Sequence, residues 1–76
     1  MKEEIENALQ ASLSPVQLDV EMSGNHCTID VVSEQFVGLN RVKRQQLVYK
    51  CLNEKIASGE LHAVNIKAQS PDELGA

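Results

Sequence analysis

The sequence predicts an α+β fold with the order α-β-β-α-β, in which a three-stranded mixed sheet is covered by helices on one face. Three observations carry this reading. Apolar residues at helical spacing open the chain, two alternating runs follow around a glycine-asparagine turn, and a second helical stretch leads into a third alternating run. A tight hairpin pairs antiparallel, whereas a strand reached through a helical crossover returns parallel and right-handed. The sheet is therefore mixed. One of its faces carries most of the aliphatic side chains, so both helices must cover that face.

The first helix rests on Ile5, Ala8, Leu9, Ser12 and Leu13, with Glu3, Glu4 and Glu6 near its N-terminus, where the macrodipole favours carboxylates. Ser14-Pro15 stops it, because proline disfavours helical geometry at the preceding residue. In "VQLDVEM" the residues Val16, Leu18, Val20 and Met22 share one side and Gln17, Asp19 and Glu21 the other. "SGN" is turn chemistry, and "HCTIDVV" resumes the alternation with Cys27, Ile29 and Val31 inward. "SEQFVGLN" reads as a loop or a short helical turn, closed by Asn40 as the cap of the second helix. There Val42, Leu47, Val48, Cys51, Leu52 and Ile56 are expected to form one apolar stripe, with Lys43, Arg44, Lys50 and Glu54 mostly off it. Gly59 suits a left-handed C-cap, with room for a short extra helix around Ala57. "LHAVNIKA" is the third strand, and residues from about 70 to 76 read as a short C-terminal tail with at most one turn.

Seventy-six residues make a single domain, 1–76, too small for a large enclosed active site. With one Tyr, one Phe and no Trp, the core must be aliphatic. Cys27 and Cys51 form no disulfide framework, and the amphipathic, acidic start lacks the apolar centre of an export signal. A reduced, cytoplasmic setting is expected, and no apolar run reaches membrane-spanning length. Net charge is −4, which argues against a dedicated nucleic-acid protein. The charge is segregated, however. Residues 1–35 carry Lys2 against seven acids, while "RVKRQQLVYK" carries Arg41, Lys43, Arg44 and Lys50 and no acid.

His26 begins the second strand and His62 the third. Parallel strands put both starts at one end of the sheet, and a third strand lying beside the first would bring His62 to the same hairpin. Strand spacing places His62 roughly 5–10 Å from the His26-Cys27 turn before side chains reach. Each residue also has a plainer reading: His26 as a solvated turn histidine, His62 as a hydrogen-bonded strand start, Cys27 as a small inward hydrophobe and Cys51 as core. With no CxxC or HExxH the set does not make a mononuclear zinc site. An incomplete ligand set implies that a partner supplies the rest.

At "FVGLNRVKRQQLVYKCL" and "ELHAVNIKAQSPDEL" the chain resembles the BolA family, and most closely its IbaG-like bacterial branch. The resemblance rests on Phe36 and Gly38, on the run from Val42 to Tyr49, on His62-Ala63-Val64, and on Ser70-Pro71. It departs from many members at Leu74, where a tryptophan is common, and at Lys43-Arg44-Gln45, in place of Arg-His-Arg. The resemblance implies a class II KH-like BolA fold, α-β-β-α-(α)-β. It also implies a non-enzymatic adaptor, monomeric when alone and binding no cofactor by itself. Such adaptors pair with a monothiol CGFS glutaredoxin and share a [2Fe-2S] cluster, in iron-sulfur cluster trafficking or in iron and stress regulation. The glutaredoxin and glutathione would then ligate one iron, and His62 with His26 the other; Cys27 is the alternative loop ligand. Histidine in place of thiolate raises a cluster's potential, and the need for deprotonated imidazole weakens such a complex in acid.

The main competing reading is a nucleic-acid-binding transcriptional regulator that uses the basic face of Arg41, Lys43, Arg44 and Lys50. The region related to a KH backbone clamp reads Gly38-Leu39-Asn40-Arg41, without the second glycine, and aromatic stacking platforms are scarce. An enzyme is disfavoured: there is no serine-histidine-acid arrangement and no phosphate loop. The membrane is not an expected partner.

Overall fold

The computed structural model describes residues 2–74. Helix α1 (Lys2–Leu13) is followed by strands β1 (Gln17–Ser23) and β2 (His26–Val32), a 3-10 turn (Glu34–Phe36) and helix α2 (Arg41–Cys51). Helix α3 (Asn53–Ala57), strand β3 (Ala63–Gln69) and helix α4 (Pro71–Leu74) complete the chain. The sheet order is β1-β2-β3, with β1 antiparallel and β3 parallel to the central β2. The α+β class, the mixed sheet and the extra helix are as the sequence predicts.

The hairpin turns on two residues between the paired Ser23 and His26. Gly24, at φ 60°, takes the first loop position, where tight hairpins favour glycine. Strand alternation then sends Cys27, Ile29 and Val31 into a core with Ile5, Leu9, Leu13, Val20 and Phe36. The end of α1 is tied to the end of β2. The buried Ser33 hydroxyl donates to the Leu13 carbonyl at 2.6 Å, and the Gln35 side-chain Nε2 donates to the Ser12 carbonyl at 2.9 Å. Ser14 leaves the helix at φ 44°, ahead of Pro15.

Asn40 caps α2 as expected, its side-chain oxygen accepting from the Lys43 amide at 2.9 Å. The helix breaks at Leu52, whose φ of −107° and ψ of 7° redirect the chain into α3. Beyond α3 the Gly59 amide bonds the Ile56 carbonyl and the Glu60 amide bonds the Lys55 carbonyl. With Gly59 at φ 83° this is a complete Schellman ending. Lys55 also pairs with Glu4 and Glu60, joining α3 to α1.

Four expectations change. Val42 is 62% exposed and Val16 61% exposed. Val42 stands six residues before Val48, roughly 120° around the helix, so it cannot share the buried row. The row begins instead at the half-buried Arg44 and Gln45 and continues through Val48 and Leu52. Arg44 therefore lies on the stripe, not off it. Val16 precedes the first paired residue of β1 and is held by its own amide, which donates to the Val32 carbonyl. Cys51 is only partly buried and points its thiol at the Leu47 carbonyl, 3.4 Å away.

The stretch read as a tail is anchored. Ser70 is buried and Pro71 starts α4. Ser70 and Glu73 make one half of a capping box: the Glu73 carboxylate accepts from the Ser70 amide at 2.7 Å and also from its hydroxyl at 2.9 Å, while the Glu73 amide donates to the Ser70 carbonyl at 3.0 Å. Residues 75 and 76 of the expected tail lie outside the described residues.

Candidate functional site

The hairpin and the start of β3 meet because β3 pairs with β2 in a register that places Ala63 opposite His26. One residue earlier, the His62 amide donates to the Asn25 carbonyl at 3.0 Å. By strand spacing and rise, the His26 and His62 α-carbons lie about 6 Å apart. Both histidines are exposed. Among the described residues neither imidazole has a hydrogen-bond partner, so ring nitrogens on both are available to a ligand.

Cys27 is one residue from His26 but on the other face of the sheet. It pairs with Met22 and Val64, is 0% exposed, and belongs to the core cluster. Burial pushes its thiol up, away from the thiolate that metal binding requires. Strand alternation thus separates the two loop residues: an imidazole in solvent and a thiol in the core. Among the described residues, no three His, Cys, Asp or Glu side chains gather into a group that could hold a metal ion. A metal centre at this end of the sheet would be held by His26 and His62, with further donors from outside the chain.

The four basic residues divide. Arg41, Lys43 and Lys50 are exposed on α2, together with Val42 and Tyr49. Arg44 is engaged internally. Its Nε donates to the Leu39 carbonyl at 2.9 Å, and its Nη1 to the Ala68 carbonyl at 3.1 Å and to Glu73 at 2.6 Å. The Ser70 amide, Arg44 and the Ser70 hydroxyl together hold the Glu73 carboxyl down at about 2. Sequence reasoning missed this latch. Its signal was the spacing of Ser70 and Glu73, a capping-box pattern with proline at the first helical position. Beside the latch, α2 and β3 bound a groove of about 420 Å³ lined by Leu39, Arg41, Gln45, Ile66 and Lys67, among others. No helix among the described residues is long and apolar enough to cross a membrane.

Comparison with known proteins covers nearly the whole chain. The family model described as "BolA-like protein" matches residues 3–73. The acid stress protein IbaG of Escherichia coli K12 is 44% identical over 70 residues, covering 92% of this chain and 83% of that protein. Among solved structures, BolA1 from Arabidopsis thaliana is 35% identical with a TM-score of 0.87, over 95% of this chain and 93% of that one. The BolA domain of SufE1 from the same plant is also 35% identical, with a TM-score of 0.90 over the same shares of the two chains. The mixed sheet, the helices on one face of it, and the match from Glu3 to Glu73 have one conclusion: the chain belongs to the family of BolA-like proteins.

Proposed function

We propose that this protein is a non-enzymatic adaptor that pairs with a monothiol CGFS glutaredoxin in the cytoplasm and shares a [2Fe-2S] cluster with it. On this reading it works in iron-sulfur cluster trafficking or in iron and stress regulation. The observation that supports the reading best is the pair of solvent-facing imidazoles on adjacent strand starts, held together by the hydrogen bond that the His62 amide donates to the Asn25 carbonyl of the hairpin turn. His26 and His62 would hold one side of the cluster, and thiolates from glutaredoxin and glutathione the other. The cluster would supply an exchangeable iron-sulfur unit whose potential imidazole ligation raises. Arg41, Lys43 and Lys50 would dock an acidic partner surface, with Arg44 bracing the helix from inside. Co-expression with a CGFS glutaredoxin tests the reading. A complex with the visible circular dichroism of a mixed-ligand [2Fe-2S] centre is expected, and a colourless pair or no pair at all refutes it.

The exposed cations of α2, with no acid between residues 41 and 50, favour one second reading, direct nucleic-acid binding. Phosphate contact would show as steep loss of affinity with salt.

A further inference from the structure

The strand order leaves β3 with one side unpaired. Along a parallel strand the amide and carbonyl of successive residues turn alternately toward the neighbour and away. The Ser33 amide bonds the Gln69 carbonyl at 3.0 Å, which fixes Gln69, and with it Lys67 and Asn65, as the residues facing β2. Val64, Ile66 and Ala68 therefore present their backbone groups outward. The Arg44 contact to the Ala68 carbonyl fits this direction and closes that end of the row. No other described hydrogen bond reaches the outward groups of Val64 and Ile66.

The first turn of α2 stands over this edge and makes it one wall of the groove. The floor is apolar, from Leu39, Ile66 and Ala68, while Arg41 and Lys67 carry the rim. The lining carboxylate, Glu73, is already held by Arg44 and Ser70. Neither α2 nor β3 contributes an acid.

We propose that the outer edge of β3 takes up an extended acidic segment of a partner protein as a fourth strand. Open backbone donors and acceptors select an extended chain, the apolar floor takes alternate side chains, and the two cations select carboxylates. A second copy pairing β3 with β3 is a poor occupant, because like charges at Lys67 and Arg41 would face their own kind. A second copy offering the acidic outer edge of β1, with Asp19 and Glu21, is the competitor that dependence on protein concentration tests. A nucleic acid meets the cations but not the row of amides and carbonyls. The proposal shares Arg41 with the docking face of the cluster reading but needs neither imidazole, and the peptide assay, run without glutaredoxin or cluster, tests it separately.

The probe is a short fluorescein-labelled peptide of alternating valine and glutamate. Its twins carry lysine for glutamate, or N-methyl groups on the pairing amides. The acidic peptide should bind and slow amide exchange at Val64 and Ile66, and both twins should fail. Arg41→Glu with Lys67→Glu should weaken binding about tenfold while far-UV circular dichroism stays unchanged. Equal binding of the lysine twin overturns the proposal, as does exchange that stays fast at those two amides. Protection that grows with protein concentration in the absence of peptide overturns it in favour of a second copy. Protection given by a single-stranded oligonucleotide and not by the peptide overturns it in favour of nucleic acid.

Discussion

At the scale of single residues, the decisive contrast is between His26 and Cys27. They are neighbours in sequence, yet alternation puts one in water and the other at 0% exposure. A substitute ligand one residue away is attractive on paper, but the thiol could reach the surface only if β2 slipped by one residue. Such a slip would turn Ile29 and Val31 outward as well. Cys27→Ala should therefore act on stability, costing about 1–2 kcal/mol in urea denaturation as a small core cavity does. It should leave a glutaredoxin complex spectroscopically intact. His26→Ala and His62→Ala should do the reverse, with unchanged melts and lost or altered visible circular dichroism. Adding Cys27→Ala to His26→Ala should change the spectrum no further, because the thiol was never available to rescue it. A bleached complex from Cys27→Ala alone would reverse this assignment of the loop ligand.

At the scale of elements, the two ends of the basic stretch behave differently. Lys43 occupies the third helical position of α2, beside the Asn40 cap. A cation there opposes the helix macrodipole, and a carboxylate would complete a capping box. Lys43→Glu should thus raise stability by about 0.3–1 kcal/mol, the usual size of a charge at a helix end. Arg44→Glu should lower it by about 1–3 kcal/mol through its two lost carbonyl bonds alone. Thermal melts of the two single variants separate these opposite signs, and any effect of Lys43→Glu on partner affinity then reports docking rather than folding. The latch also has a pH signature. The folded Glu73 carboxyl sits at about 2 against an ordinary 4.5. Its contribution is therefore fully present above pH 4.5 and is lost as pH falls toward about 2. Carbon-detected titration of Glu73, with exchange of the Ser70 amide followed alongside, should show both loosening across that acid window and neither at neutral pH.

At the scale of the whole molecule, the sequence made the layers legible because period and turn chemistry repeat over several residues. Alternation marked all three strands, and Gly24, Asn40 and Gly59 marked their turns and caps. The crossover rule brought His26 and His62 to one end before any coordinates. What stayed hidden depended on single long side chains. Arg44 reads as a surface cation until its angular position under Val48 is known, and Val42 reads as core for the same reason. The outward row of β3 depends on which strand lies at the edge, and two sheet orders were open. The same whole-molecule view yields a prediction about solitude. One chain offers a pair of imidazoles, enough for one iron of a binuclear cluster and none for the other. Two copies could bring four imidazoles together, but no thiolate to offset the charge of the irons, and each copy carries a net −4 that opposes their approach. The purified protein should therefore run as a colourless monomer in size exclusion with light scattering. Visible absorption should appear, together with a shift to a heterodimer, only when CGFS glutaredoxin, glutathione, iron and sulfide are all supplied. A brown homodimer formed without glutaredoxin would show that this surface completes a cluster by self-association, and the shared-ligand proposal would fall with it.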